Sequence, residues 1–172
     1  DYDLVREAIE KTIPEFAGYN EKVRHDFGFY LPNGLQNGQF PTSDGKAHFT
    51  VNKVPTNQLN EGEYQLMTIR SHDQFNTTIY GLDDRYRGVK NERRVVFIHP
   101  EDMKARGWKA KQAINLINEH GGTKRVAKSF LLVPYDIPRN CLAAYFPEAN
   151  VLVPIDSFDD RSKTPASKRI VV

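Results

Sequence analysis

Beyond about residue 60 the chain breaks into short β-rich runs, and their length and spacing constrain the fold more than any other feature. The runs fall at 64–69, 94–98, 113–118, 125–133, 151–155 and 169–172, bounded by Gly, Pro, Asn and charged residues. Strands this short cannot each carry a crossover helix, and the pattern predicts a mainly β fold with short helices, a barrel of about six strands. Between the second and third runs, His99, Pro100, Glu101, Asp102, Met103, Lys104, Ala105, Arg106 and Gly107 read as one short helix. Proline suits the first helical position, the two acids favour the positive N-terminus, and Gly107 suits the left-handed stop. His120, Gly121 and Gly122 read as a hairpin turn, because consecutive glycines relieve the cost of positive φ.

The first 60 residues read differently. Leu4, Val5, Ala8, Ile9 and Ile13 recur at helical spacing until Pro14 stops the pattern. The stretch 16–46 is dense in Gly, Asn, Pro and aromatic residues without a sustained period, as expected of an ordered arm that needs a partner surface. A short strand is predicted over 47–54 and a polar connector over 54–62. The expected division is therefore an N-terminal helix and arm over 1–60, followed by a β-barrel domain over 61–172.

At 172 residues the chain suits one well-packed domain. No apolar run approaches the ~20 residues a spanning helix needs, which excludes a transmembrane helix. The single cysteine, Cys141, rules out an internal disulfide and a Cys-rich metal or iron–sulfur site, so any redox chemistry must come from elsewhere. Cys141 lies in an apolar stretch, Leu142, Ala143, Ala144, Tyr145 and Phe146, and reads as a buried structural thiol. The start at Asp1, without an apolar signal core, predicts a piece excised from a cytoplasmic protein.

The net charge of +2 hides a segregation. Residues 1–84 hold 7 Lys and Arg against 13 Asp and Glu, residues 85–128 hold 12 against 4, and residues 129–172 hold 5 of each. Such a basic middle third is either a solvated face or the seat of an anionic partner: a phosphate-bearing cofactor, a nucleic acid or another subunit.

The longest polar stretch, from Arg70 to Lys90, directly follows a predicted strand and supplies Arg, Ser, His, Asn and Thr donors suited to phosphate oxygens. Its functional reading is phosphate or ribose contact; its bland one is a surface excursion whose polar residues satisfy each other. His72 with Asp73 and Asp83 with Asp84 do not make catalytic or metal pairs, because adjacent residues on an extended chain point apart. The five histidines lack H-x-x-x-H spacing, and there is neither a G-x-G-x-x-G after a strand nor a P-loop. Asp102, at the head of the short helix, is the best candidate for reading a base edge, a role compatible with helix-dipole stabilisation.

The run Leu66, Met67, Thr68, Ile69, Arg70, Ser71, His72, Asp73, Gln74, Phe75, Asn76, Thr77, Thr78, Ile79, Tyr80, continuing to Gly88, resembles the C-terminal region of molybdopterin-dependent oxidoreductase alpha subunits, most of all their formate dehydrogenase-like YdeP branch. Asp44 to Phe49 is similar to the family's T-x-x-G-K-A-x-F lead-in, and His99, Pro100, Glu101, Asp102 to its N-P-x-D-A helix start. The stretch from Ile137 to Asn150 and the tail Ser162, Lys163, Thr164, Pro165 are also similar to that branch. The chain departs from the pattern at Lys111 and Gln112, where many relatives carry Gly-Asp, so the turn before the third strand is a place where the two can differ.

The resemblance implies a six-stranded double-psi β-barrel that binds molybdopterin guanine dinucleotide, with Mo or W, as the last domain of a larger enzyme. It implies that Arg70, Ser71, His72, Asn76, Thr77 and Thr78 contact pyrophosphate or pterin and that Asp102 contacts guanine. Tyr145, Phe146, Pro147, Glu148, Asn150 and Lys163 would line a second contact region. The partners implied are the small-molecule cofactor and the upstream domains of the same polypeptide, with no membrane and no nucleic acid. Iron–sulfur clusters and the metal ligand would lie upstream, leaving these 172 residues inactive alone. The rival expectation, from the residues themselves, is a stand-alone basic β-barrel binding a partner protein or single-stranded nucleic acid, with Tyr80, Tyr86, Phe97 and Trp108 stacking on bases.

Overall fold

In a computed structural model, residues 1–53, 58–76 and 79–172 are described. The chain divides into two compact units, Asp1–Val54 and Pro55–Val172.

The first unit is helical and thinly packed. Helix α1 (Tyr2–Thr12) is capped by the Asp1 carboxylate, which accepts from the Asp3 amide at 2.9 Å. A 3₁₀ turn at Pro14–Phe16 and the short helix α2 (Tyr19–Lys22) follow. Asn20 ties α2 back to α1, accepting from Arg6 Nε at 2.7 Å and donating to the Asp3 carbonyl at 3.1 Å. Phe16 and Tyr19 cluster edge to face on Phe29, yet no described residue of this unit is buried, and Phe27, Tyr30, Phe49 and Val51 are fully exposed. The strand expected over 47–54 does not form across 47–53, where no second segment pairs with the chain; Val54 lies outside the described residues.

The second unit is a nearly closed, mainly β barrel. Its strands are β1 (Gln65–Ile69), β2 (Val95–Ile98), β3 (Ala113–His120), β4 (Thr123–Pro134), β5 (Cys141–Tyr145) and β6 (Ile170–Val171). They form one sheet in the order β3-β4-β2-β5-β1-β6. Two pairs are parallel, β1 with β5 and β2 with β4; β2 runs antiparallel to β5. The edges β3 and β6 approach each other, where Asn118 Nδ2 donates to the Val171 carbonyl at 2.9 Å.

Period-2 alternation sorts the side chains into two cores. Leu66, Val96, Ile98, Phe130, Leu132 and Leu142 fill one, and Val95, Phe97, Ala143 and Tyr145 make the other. β2 contributes to both and is buried throughout. Gly121 and Gly122, at φ 56° and 74°, form the two-residue turn between β3 and β4, with His120 paired to Thr123. Helix α3 (Pro100–Ala105) begins at Pro100, its His99 cap accepts from the Glu101 amide, and it stops before Gly107 at φ 65°. The turn before β3 keeps a left-handed residue although a lysine occupies it: Lys111 sits at φ 63°, its amide bonded to the Leu132 carbonyl at 2.8 Å.

Two expectations for this unit are corrected. The run 151–155 is not a strand: Asn150–Leu152 forms a 3₁₀ turn that drives Leu152 into the core, and Pro154 follows. The sixth strand is instead β5, formed by the stretch read as surroundings of a buried thiol, and Cys141 at its start is only half-buried. Among the described residues no helix is long and apolar enough to cross a membrane.

Candidate functional site

Because β1 and β5 are parallel, both reach the same end of the barrel, where Arg70 and Phe146 leave them. The Phe146 amide donates to the Ile69 carbonyl at 3.1 Å, fastening the two exits together. A cavity of about 650 Å³ opens beside them, lined by Thr68, Phe146, Asn150, Thr164, Ser167 and Lys168 among others. The Arg70 guanidinium and the Lys168 ammonium lie 5.8 and 5.9 Å from the Phe146 ring centroid. Neither forms a salt bridge among the described residues. Lys168 Nζ donates to the Thr68 carbonyl, and partial burial, together with the Arg70 charge, holds its ammonium below the usual lysine range.

Behind this mouth residues 70–76 and 79–93 are held by two buried ionic groups. Asp84, 1% exposed, accepts from the backbone amides of His72, Tyr86 and Arg87, each at 3.2 Å. It also accepts from Arg87 Nη1 at 2.6 Å and from the Tyr145 hydroxyl at 2.8 Å. Burial alone would push the Asp84 carboxyl up, but the Tyr145 and Arg87 bonds outweigh it and hold the group below the usual aspartate range. The same burial, with the Asp84 bond, pushes the Tyr145 phenol well above its ordinary value. Arg93, 4% exposed, is the second buried ion, paired with Glu148 at 2.7 Å.

The predicted residues therefore divide. Phe146 and Asn150 line the cavity, Arg70 is exposed outside the lining with its guanidinium over the Phe146 ring, Pro147 is exposed after a cis peptide bond, and Lys163 lies exposed, 4.8 Å over the Phe158 ring. The Ser71, Tyr145 and Glu148 side chains turn inward to the buried ions. The His72 ring is exposed and stacks on Tyr86 with centroids 3.7 Å apart, Asn76 is exposed at φ 57°, and Thr77 and Thr78 lie outside the described residues. Asp102 stands at the far end of the barrel, because β2, which precedes it, runs antiparallel to β5. The length of the intervening strands is roughly 15 Å at ~3.3 Å per residue. There Asp102, 3% exposed, accepts from Arg139 Nε at 2.5 Å and the Asn140 amide at 2.8 Å and lines a second cavity of about 330 Å³ with Tyr64 and Arg106.

Some of the basic middle third is used internally: Arg85 pairs with Asp73, Arg87 with Asp84 and Arg93 with Glu148. The aromatic residues offered for base stacking are dispersed. Phe97 lies in one core, Trp108 packs against the other, and Tyr80 and Tyr86 cover Arg93 and His72. Sequence reasoning missed Lys168, Asp84 and Arg93. Only Lys168 left a signal, a cation close to the Pro165 tail; the other two are defined by partners distant in the chain.

The mixed parallel and antiparallel pairs and the two cations beside the Phe146 ring define a small mixed β-barrel with a cationic mouth, and comparison with known proteins gives its family. The chain belongs to the Molydopterin dinucleotide binding domain family, whose pattern matches residues 64–171. It is 49% identical over 178 residues to an uncharacterized oxidoreductase of Mycobacterium tuberculosis (strain ATCC 25618 / H37Rv) and 40% identical over 179 residues to protein YdeP of Escherichia coli (strain K12). Both alignments cover 100% of this chain but only 23% and 24% of those relatives, so the chain spans about a quarter of their length.

Proposed function

We propose that this chain is the closing domain of a molybdopterin-dependent oxidoreductase of the formate dehydrogenase-like branch, a double-psi β-barrel that binds the guanine dinucleotide form of the cofactor. Two parallel pairs, β1 with β5 and β2 with β4, joined back to back through β2 and β5, support the double-psi reading. The observation that carries the function is the pair of cations, Arg70 and Lys168, flanking the Phe146 ring beside the larger cavity with no carboxylate partner among the described residues. That donor set fits a pyrophosphate, which needs cationic and hydrogen-bonding groups converging from more than one segment.

On this reading Arg70, Lys168 and Asn150 hold the pyrophosphate, with His72, Asn76, Thr77, Thr78, Phe146, Pro147 and Lys163 along the pyrophosphate and pterin. We assign guanine to Asp102, at the second cavity. When bound, the cofactor supplies two-electron redox chemistry at its molybdenum or tungsten, and the residues of this chain bind and orient it. Upstream domains of the same cytoplasmic polypeptide complete the site and carry the iron–sulfur clusters that move electrons away, so the 172 residues alone are inactive.

The test is made on the full-length protein. Arg70→Ala combined with Lys168→Ala lowers bound dinucleotide at least tenfold, measured as nucleotide released by acid and as metal per chain; unchanged content rejects the assignment. The released nucleotide is guanylate, and any other base removes the guanine reading. Asp102→Ala also lowers retention, and full retention would take Asp102 out of the site while leaving the Arg70 and Lys168 assignment standing.

A further inference from the structure

Arg93 is a buried cation that none of these contacts uses, and its partners come from both segments that leave β1 and β5 at this end of the barrel. Its Nη1 donates to Ser71 Oγ at 2.8 Å, and its Nη2 donates to Gln74 Oε1 at 3.0 Å, both in the segment after β1. From the turn after β5 it takes the Phe146 carbonyl at 2.9 Å and both Glu148 oxygens, Oε1 from Nε at 2.7 Å and Oε2 from Nη2 at 3.2 Å. Gln74 closes the ring: its Nε2 donates to the same Phe146 carbonyl at 2.9 Å, and its Oε1 also accepts from the Ser71 amide at 3.2 Å. The Tyr80 ring covers the guanidinium face at 3.8 Å and Tyr145 lies at 5.1 Å, so the edges are hydrogen-bonded while the faces are shielded from water.

We infer that Arg93 is a positioning residue that locks the segment after β1 to the turn after β5, so that Arg70 and Phe146 are presented as one preset wall. Glu148 then serves Arg93 and not the cofactor. This inference rests on reading the cavity as the cofactor site, but the lock itself is independent of any ligand, because every partner belongs to the chain. A planar guanidinium fills the role for a geometric reason: its fixed fork reaches acceptors on two segments at once, whereas the compact ammonium of lysine cannot span them. Losing the fork takes the guanidinium donor from the Ser71 hydroxyl and leaves the Phe146 carbonyl with Gln74 Nε2, in a place with little water, and neither segment can shift alone without breaking bonds of the other.

The experiment is amide hydrogen exchange on the full-length protein, prepared without cofactor and with it, for wild type, Arg93→Lys and Glu148→Gln. The β3–β4 hairpin serves as an internal reference. We expect Arg93→Lys to speed exchange at least tenfold in both 70–76 and 146–150, to similar extents, with the hairpin unchanged. Glu148→Gln, which keeps an acceptor for one guanidinium donor, speeds both by a smaller factor and carries the test if the lysine variant does not fold. The cofactor leaves the loaded Arg93→Lys protein at least tenfold faster than wild type. Faster exchange in only one segment, in neither, or equally in the hairpin overturns the lock. Full-length wild-type protein that binds no molybdopterin dinucleotide rejects the cofactor reading, while the exchange pattern of the cofactor-free protein still decides the lock.

Discussion

Strand β2 is bracketed by two buried charges of opposite sign, Arg93 before it and Asp102 after it, and the two ends of the barrel hold them differently. At the Arg93 end the whole surroundings are internal: Glu148, Gln74 and Ser71 answer the cation, and beside it Asp84 is answered by Arg87, Tyr145 and three amides. At the Asp102 end one side of the ion pair, Arg139, leaves 53% of its side chain in solvent. The first arrangement fixes several segments in one geometry, while the second fastens only the approach to β5. Support of the first kind keeps donors preset, since a loosely held donor loses binding energy to its own ordering.

The comparison breaks most readily at Asp84. Asp84→Ala removes the acceptor of five hydrogen bonds and leaves Arg87 and the Tyr145 hydroxyl half-buried or buried without it, so chemical denaturation of the full-length protein should show this domain destabilised by about 3–5 kcal/mol. Asp102→Ala strands one amide and an arginine that can turn to water, and the same measurement should give about 1–3 kcal/mol. Tyr145→Phe deletes a single donor to Asp84 without changing shape, for about 1–2 kcal/mol.

Acidification sharpens the contrast through the sign of linkage. The folded Asp84 carboxyl titrates below its unfolded counterpart, whose ordinary value is 3.8. Its contribution is therefore complete above about pH 4 and fades as pH falls through the lower folded value, because the unfolded chain binds the proton first. Tyr145 acts at the other limit: its folded phenol titrates above the ordinary 10.0, so its contribution is complete below that and lost as pH rises past it. Midpoints measured between pH 5 and 2 should fall more steeply in wild type than in Asp84→Asn, and parallel slopes would count against the network. The smallest effect is expected at neither end: Lys111→Gly relieves a left-handed side-chain residue but loosens the unfolded chain, for a gain of at most about 1 kcal/mol.

What the sequence made legible was local. The β3–β4 hairpin needed only Gly121 and Gly122, and α3 only Pro100 and Gly107, because each element is bounded by residues whose backbone preferences act within a few positions. β5 was not legible, since its neighbours β1 and β2 lie far away in the chain and burial of Leu142, Ala143 and Ala144 erases the alternation that marks a strand with one wet face. The apolar run 151–155 misled for the converse reason: it has strand-like residues and no strand beside it. At the site, Arg70 and Phe146 could be placed by motif, but the buried role of Glu148 depends on Arg93, 55 residues earlier, and that of Tyr145 on Asp84, 61 residues earlier. Charged side chains announce their type in a sequence, and only the fold decides whether they face a ligand or one another.

The strand order also dictates a schedule of assembly. As the chain is synthesised from its N-terminus, β1 emerges with neither of its neighbours, β5 and β6, and β2 waits for β4. The β3–β4 hairpin can close first, from neighbouring residues, and β2 can then dock along β4. Only when Cys141–Tyr145 follows can β1 join the sheet, and only after Glu148 can Arg93 draw the segment behind β1 into place. Until then that segment, with its arginines and exposed aromatics, has no fixed geometry to offer a ligand. The geometry of that segment is thereby made contingent on the late strands of the domain, an ordering that follows from the long sequence separation of the strands it joins.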